Sequence, residues 1–401
     1  MRPVTPSERD RPSPRGAPIL FLTEENPFPP VGGRKTRDAT LIGRLAARGT
    51  VEVLTFAPEP GASAHLLSPP EGVLVTPLSR KIPLWVEHLS SLLRPKGLEG
   101  LCVNMVAALK ERSLVPGRTL WVSRLEMAQY IPLAKSLGYR IVLDEHHVES
   151  ERMMDQAVLS PRGWLGTFSA WQASRLEDNY AELADHLVTA TELAASRLRK
   201  SAPRAKITVI PTTIDAGRFS AIAPKPGKTL LFSGLLNRPA NLEALEWFGH
   251  EILPRLRARL GTGLPEIVVA GSSPTSKLIV RLQEWNIRVH ADPLSIHPLL
   301  EEAAIVFLPI RAGDAAHLRI LEAMAAGRPV VTTGKGAAGL LLTPTVDAFV
   351  AETPDAFAMA LVRLLENRDI FEQIRTNALT TAQSRYDISR TDQLLAELSL
   401  V

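Results

Sequence analysis

Short apolar runs recur along the chain, each bounded by Gly, Pro or polar residues. Ile19–Leu22, Val51–Phe56, Thr119–Val122 and Ile141–Leu143 are followed by His186–Thr189 and Ile207–Ile210. Runs this short suit strands, and their apolar content suits strands buried on both faces. Between them stand patterns of helical period: Thr36–Arg48, Leu98–Lys110, and a region from Pro161 to Leu198 that the strand His186–Thr189 interrupts. The alternation predicts a parallel sheet with helices on both faces. At Ala223-Pro-Lys-Pro-Gly-Lys228 the texture changes to a linker, and the same grammar restarts. Thr229–Ser233, Glu266–Ala270, Arg288–His290, Ile305–Pro309 and Pro329–Thr332 read as strands with helices between them.

The expected organisation is therefore a polar, Pro- and Arg-rich tail (1–16), a first domain (17–222), a linker (223–228) and a second domain (229–380). A helical segment (381–401) follows, placed to pack back across the junction. The fold class is α/β, two doubly wound parallel-sheet domains facing across a cleft. Ligands bind outside the C-terminal strand ends in such folds. Length agrees, since 401 residues exceed one comfortable core.

Composition narrows the function classes only modestly. An apolar fraction of 45% and a charged fraction of 22% exclude general disorder. The net charge of +4 fits an anionic ligand, a membrane surface or a solvated basic face. Cys102 is the single cysteine, so no intrachain disulfide forms, and its apolar neighbours make it a buried structural thiol. No Cys/His cluster has zinc-ligand spacing, so no metal is expected, and nothing points to nucleic acid. The N-terminus lacks the apolar core of a signal peptide and no run is long enough to span a bilayer. A cytoplasmic protein is expected.

The candidate chemistry gathers between Arg311 and Val331. A strand ends at Pro309, and a short loop with Gly313 and Asp314 leads into a helix beginning near Ala316 and stopping at Gly327. The helix N-terminus offers free N–H groups to a phosphate. Asp314 and Glu322 stand eight positions apart, so two carboxylates would mark the ends of an elongated polyhydroxyl ligand. Arg319, one turn before Glu322, offers a guanidinium to a diphosphate. Taken alone, these charges favour the commoner reading, a helix cap at Asp314 and a surface pair of Arg319 with Glu322.

The surrounding string changes the balance. Leu318-Arg-Ile-Leu-Glu-Ala-Met-Ala-Ala-Gly-Arg-Pro-Val-Val331 resembles the donor-site signature of glycosyltransferase family 4, a family of retaining GT-B enzymes with two Rossmann-like domains. Other strings stand in the family's order. Phe232-Ser-Gly-Leu-Leu-Asn-Arg-Pro-Ala-Asn241 resembles the opening of its donor domain, Val268-Val-Ala-Gly-Ser-Ser273 a later strand end, and Val209–Phe219 the interdomain string. Asn26–Arg34 resembles the N-terminal glycine loop and Val142-Leu-Asp-Glu-His-His-Val-Glu149 an acidic/histidine strand end. The set covers nearly the whole chain after residue 17.

The resemblance implies transfer of a sugar from a nucleoside diphosphate sugar, with retention, without a metal or other cofactor. His146, Arg319 and Asp314 would stand at the reacting bond. Gly32, Gly33, Gly234, Arg238, Gly271, Gly313, Leu318 and Glu322 would surround the donor, with Glu322 on the ribose hydroxyls. Arg319 replaces the family's usual Lys, and His147, where relatives have Asn or Asp, is taken as structural. The leaving phosphate would accept the acceptor's proton. The acceptor class stays open between a small molecule, a glycan and a lipid-linked molecule. The basic stretch Arg80, Lys81, Trp85, Arg94 and Lys96 reads as a helix's solvated face or as peripheral membrane contact. A sugar-nucleotide 2-epimerase of the same fold and a catalytically silent sugar-nucleotide binder are the alternatives.

Overall fold

The computed structural model describes residues 19–30, 32–57, 69–80, 101–115, 117–146, 148–158, 163–220, 222, 228–312 and 317–398. The tail 1–16, the basic stretch beyond Arg80, most of the linker, His147, and the loop with Gly313 and Asp314 lie outside the described residues.

The first sheet has seven parallel strands: β1 (Ile19–Leu22), β2 (Val51–Phe56), β3 (Val73–Leu78), β4 (Thr119–Ser123), β5 (Arg140–Glu145), β6 (His186–Thr189) and β7 (Lys206–Val209). Their order is β3-β2-β1-β4-β5-β6-β7, so it reverses direction between β1 and β4. The helices among them are α1 (Gly33–Ala46), α2 (Val103–Arg112), α3 (Arg124–Ala128), α4 (Ile131–Ser136), α5 (Glu149–Val158), α6 (Gly163–Leu183) and α7 (Glu192–Ser201). A short helix, α8 (Ala216–Ser220), leads towards the second domain.

The period-2 alternation of a strand sends its side chains to two cores. Phe21, Val53, Trp121, Val142 and Val188 face Leu41, Ile42 and Leu45 of α1. Leu20, Leu22, Leu120, Val122, Ile141 and Leu143 face Met105 and Leu109 of α2 and Ala173 and Tyr180 of α6. Helix α2 starts at Val103, later than its apolar pattern suggests, because Cys102 is the extended N-cap residue. Cys102 is buried, as its neighbours imply. Strand β3 escapes a search for solid apolar runs. It is an edge strand with a half-wet pattern and carries Pro77, which an edge tolerates.

The second sheet has six parallel strands: β8 (Thr229–Leu235), β9 (Glu266–Ser272), β10 (Arg288–Ala291), β11 (Ala303–Leu308), β12 (Val330–Thr332) and β13 (Phe349–Val350). Their order, β10-β9-β8-β11-β12-β13, reverses between β8 and β11. The covering helices are α9 (Pro239–Trp247), α10 (Leu253–Leu260), α11 (Ser276–Glu284), α12 (His297–Glu302), α13 (His317–Ala325), α14 (Gly334–Ala337), α15 (Pro354–Glu366) and α16 (Arg368–Arg385). They enclose one core, with Phe248 stacked on Phe307 at 4.3 Å between centroids.

The last helix, α17 (Ile388–Glu397), leaves this domain and lies on the first. Leu394, Leu395 and Leu398 join the core beneath α1, and the Thr391 and Thr213 hydroxyls meet at 2.7 Å. No helix among the described residues is long and apolar enough to cross a membrane.

One close approach fixes the C-terminal end of the second sheet. Gly234 and Gly271 are paired across β8 and β9, and a Cβ on Gly271 would fall 1.7 Å from the Gly234 carbonyl oxygen. That neighbour is backbone and cannot swing aside. Gly271→Ala is therefore expected to lower stability by more than about 2 kcal/mol in urea unfolding. Gly33→Ala, with nothing within 4 Å of the added carbon, should leave the midpoint nearly unchanged.

Candidate functional site

The second domain builds its part of the site from one arginine. Arg319, on α13, donates from Nη1 to the Ser233 carbonyl at 2.6 Å and to Asn241 Oδ1 at 3.2 Å. The Asn241 amide in turn donates to the Leu235 carbonyl at 2.8 Å. A Cβ on Gly234 would lie 2.7 Å from that Nη1 and 2.9 Å from the Asn241 amide nitrogen. A side chain at Gly234 would thus displace the arginine anchor, and one at Gly271 would strike the Gly234 carbonyl. Asn241 closes the string Phe232–Asn241, whose resemblance assigns it no role. Its signal was a buried amide on the apolar face of α9, beside Ala244 and Leu245.

Glu322 follows Arg319 by one turn on the same helix. It is half-buried, and no hydrogen bond to its carboxylate is found among the described residues. Burial pushes it up to about 7, against the opposing pull of Arg319 and Arg218. Arg218, exposed on α8, is a cation that sequence reasoning passed over. Leu318 packs against the domain core. The helix stops where Gly327 takes φ +64, its N–H bonding to the Met324 carbonyl at 3.0 Å. Arg238 is the N-cap residue of α9. Arg311 is committed elsewhere, donating from Nε to Glu243 at 2.9 Å and lying 4.5 Å over the Trp247 ring.

In the first domain, Gly32 takes φ +83 as the N-cap of α1, and no side chain among the described residues caps that helix. Its backbone N–H groups at Gly33, Arg34 and Lys35 therefore precede the first helical bond, which runs from Thr36 to the Gly32 carbonyl at 3.0 Å. A Cβ at Gly32 would meet Leu235 Cδ1 of the second domain at 3.8 Å. The glycine loop and the end of β8 therefore face each other.

His146 lies inside the first domain, 4% exposed. Its Nε2 is 3.2 Å from Asp38 Oδ1, 3.3 Å from Asp144 Oδ2 and 3.3 Å from the Ser123 hydroxyl. Asp144 is paired with Arg37 at 2.9 Å, and Arg37 also donates to the Ile210 carbonyl at 2.8 Å. Thr23 and Ser123 donate to Asp38 at 2.9 and 2.7 Å. Burial pulls the imidazole down, but Asp144 and Asp38 outweigh it and hold His146 above its ordinary value. Burial likewise opposes ionisation of Asp144, and Arg37 with His146 reverses that, holding the carboxyl well below its usual range. Any ligand contact from this ring must therefore use its other side, Nδ1.

Arg37, Asp38 and Ser123 belong to none of the motifs that the sequence singles out. Arg37 and Asp38 stand one turn before the buried Leu41 and Ile42, and charge on the apolar face of a helix was the available signal. The neighbouring Glu145 turns to the opposite face of the sheet. Burial and the nearby Glu177 raise it well above a normal carboxyl, and burial raises Glu177 to about 7.

Residues 227–367 match the family model described as glycosyl transferases group 1. That segment holds all six strands of the second sheet. No curated protein matches the sequence significantly. Solved structures of the same shape include Anabaena Alr3699/HepE in complex with UDP and glucose, with 15% identity over 95% of this chain and 98% of that one and a TM-score of 0.66. Sucrose-phosphate synthase from Thermosynechococcus elongatus is similar at a TM-score of 0.70 and 15% identity, over 95% and 98% of the two chains. The α,α-trehalose 6-phosphate synthase from Burkholderia multivorans is similar at 0.64 and 13%, over 95% and 98%. At such identities the likeness is one of fold, and the fold is GT-B.

The charge network has a measurable signature. Its histidine is raised, so its stabilising contribution is complete below the unfolded value near 6.5 and is lost as pH rises through the folded value. Asp144→Asn should lower the His146 titration midpoint seen by ring-proton NMR. It should also cost about 3 kcal/mol or more at pH 6, because Arg37 is left buried without its charge partner. A wild-type His146 midpoint at or below 6.5 would contradict the assignment.

Proposed function

We propose that this protein is a glycosyltransferase that moves a sugar from a nucleoside diphosphate sugar to an acceptor hydroxyl, with retention of configuration and without a metal. The observation that carries this reading is the meeting of the Gly32 loop with Leu235, at the end of the strand on which Arg319 is anchored. An uncapped helix N-terminus from one domain and a cation from the other thus approach the same space, as an anionic diphosphate requires. The match of the second domain to glycosyl transferases group 1 supports the same chemistry.

On this reading Glu322 accepts hydrogen bonds from the ribose hydroxyls, since it is a half-buried carboxylate with lone pairs to spare. Arg319 and Arg218 face the diphosphate and stabilise the charge that grows as the sugar departs. Arg238 and the N–H groups of Gly33 and its neighbours add to that field. His146 meets the sugar through Nδ1, and the family resemblance assigns Asp314 a role beside the same sugar. Departure and attack on one face let the leaving phosphate take the acceptor's proton, so no protein base is required. The fold neighbour solved with UDP and glucose makes UDP-linked donors the first to try.

The test is nucleoside diphosphate release from a panel of UDP-, GDP- and ADP-sugars, with and without acceptors. Acceptor-stimulated release is expected. Release without acceptor and with an altered sugar would instead mark an epimerase, and binding without turnover a silent protein. Glu322→Ala should weaken nucleotide binding about 10- to 100-fold, the worth of hydrogen bonds to a charged group. His146→Ala should lower kcat more than donor affinity.

A pH series provides an independent check. Only the ionised Glu322 accepts from both ribose hydroxyls, and its free carboxyl titrates at about 7. Nucleotide affinity should therefore rise between pH 6 and 8 in the wild type, and Glu322→Gln should flatten that rise. An identical rise in the variant would remove Glu322 from the nucleotide site.

A further inference from the structure

The face of the first sheet opposite His146 carries a second group of acids. Along β5, Ile141 and Leu143 point into the core beneath α6, and Glu145 continues that alternation, 2% exposed. From the other side α6 turns Ala173, Glu177 and Ala181, each four positions from the last, into the same buried layer. Alanines flanking Glu177 let the helix approach the sheet closely, so a carboxyl from each element meets inside the domain.

The two carboxyls have different surroundings. Glu177 accepts from the Ser150 N–H at 3.1 Å through one oxygen and from the Ser150 hydroxyl at 2.6 Å through the other. The Glu149 N–H bonds to it as well. Glu149 and Ser150 open α5, so Glu177 caps that helix from a neighbouring one, a place that favours negative charge. Glu145 has no such donors, and its Oε1 is buried without a hydrogen-bond partner among the described residues. Thr189, its register neighbour on β6, is fully buried, and its hydroxyl likewise has no partner among them. The charged groups that act most on Glu145 are Glu177 from α6, Glu126 from α3, Glu149 from α5 and Asp144 on its own strand, all of them acids. Two adjacent carboxylates withdrawn from water do not both stay charged, so the pair keeps a proton, and it stays on Glu145.

Glu145 and His146 are consecutive and point to opposite faces, so whatever holds one side of this strand end also sets the other. The short connection from His146 to α5 is tied at its far end by Glu177. We propose that Glu145 and Glu177 form a carboxyl clamp on the start of α5, and that this clamp positions the His146 ring beside the sugar. The word sugar rests on the glycosyltransferase reading, whereas the clamp does not. Burial raises Glu177 to about 7, and burial with Glu177 raises Glu145 well above its ordinary 4.5. The clamp is therefore complete below about pH 4.5 and loosens as pH rises through the folded values.

The experiment follows amide hydrogen exchange in α5 of the full chain between pH 5 and 8, corrected for the intrinsic pH dependence of exchange. Protection over Glu149–Val158 should fall with pH, by up to about 10-fold per unit for each proton released on opening. Glu145→Gln and Glu177→Gln each remove one carboxyl, yet they should act in opposite directions at pH 8. Glu145→Gln fixes the neutral member, and should flatten the fall and leave α5 better protected. Glu177→Gln removes the capping charge, and should weaken protection about 10-fold and move the His146 ring-proton resonances. It should also lower kcat with UDP affinity unchanged. A wild-type slope in Glu145→Gln, or loosening of α5 by both variants, would overturn the clamp. Loosened α5 with unmoved His146 resonances would overturn the positioning role. If Glu177→Gln does not fold, Ser150→Ala takes its place, and unchanged protection there overturns the proposal. Failure of the wild type to release nucleoside diphosphate from any sugar nucleotide would instead overturn the glycosyltransferase reading, and the exchange and ring-proton measurements still decide the clamp.

Discussion

An arginine, a histidine and two carboxylates closed inside the first domain set the position of everything at its crevice. Arg37, Asp38, Asp144 and His146 lie within 2.9 to 3.3 Å of their partners and are all nearly withdrawn from water. Such groups are expensive to desolvate and hold only while each charge is answered. Arg37 and Asp38 come from α1, Asp144 from β5 and His146 from the residue after it, and Arg37 reaches the end of β7 through Ile210. The network therefore fixes the angle and height of α1 over the sheet. That in turn places Gly32 against Leu235 and aims the uncapped helix end across the cleft.

The second domain solves the corresponding problem with one cation. Arg319 pins the start of α13 to the end of β8, and a side chain on Gly234 would displace that anchor while one on Gly271 would strike backbone. The same contact that tightens the sheet end brings Glu322 into a half-buried position beside two arginines. A carboxylate there is neither a surface residue nor half of a closed ion pair. It is held near its protonation midpoint, where a ligand can use it. The two domains thus present different electrostatics to one cleft: a compensated network behind a bare helix end, and a cation with an underused carboxylate.

Most of the strands and the doubled architecture were legible from apolar runs and the Gly, Pro and Lys punctuation between them, because strands buried on both faces have few alternatives. Edge strand β3 was not, since none of its residues is buried and Pro77 breaks the pattern. Glu322 and Arg319 could be picked out from their string, and His146 from its place at a strand end. Their neighbours could not, because Asn241, Arg218, Arg37, Asp38 and Glu177 sit far from them along the chain or on faces that periodicity reads as core.

The sequence by itself determined which residue types are available at each strand end, and the order in which two similar units are built. Only the tertiary structure decided which of those residues meet. It turned His146 Nε2 inward to Asp38 and Asp144, gave Arg319 a backbone anchor, tied Arg311 to Glu243, and set Glu177 against the first turn of α5. The reason is physical. A charge in water has little preference for its neighbours, but once burial removes the solvent its state depends on groups that only folding brings within a few ångströms.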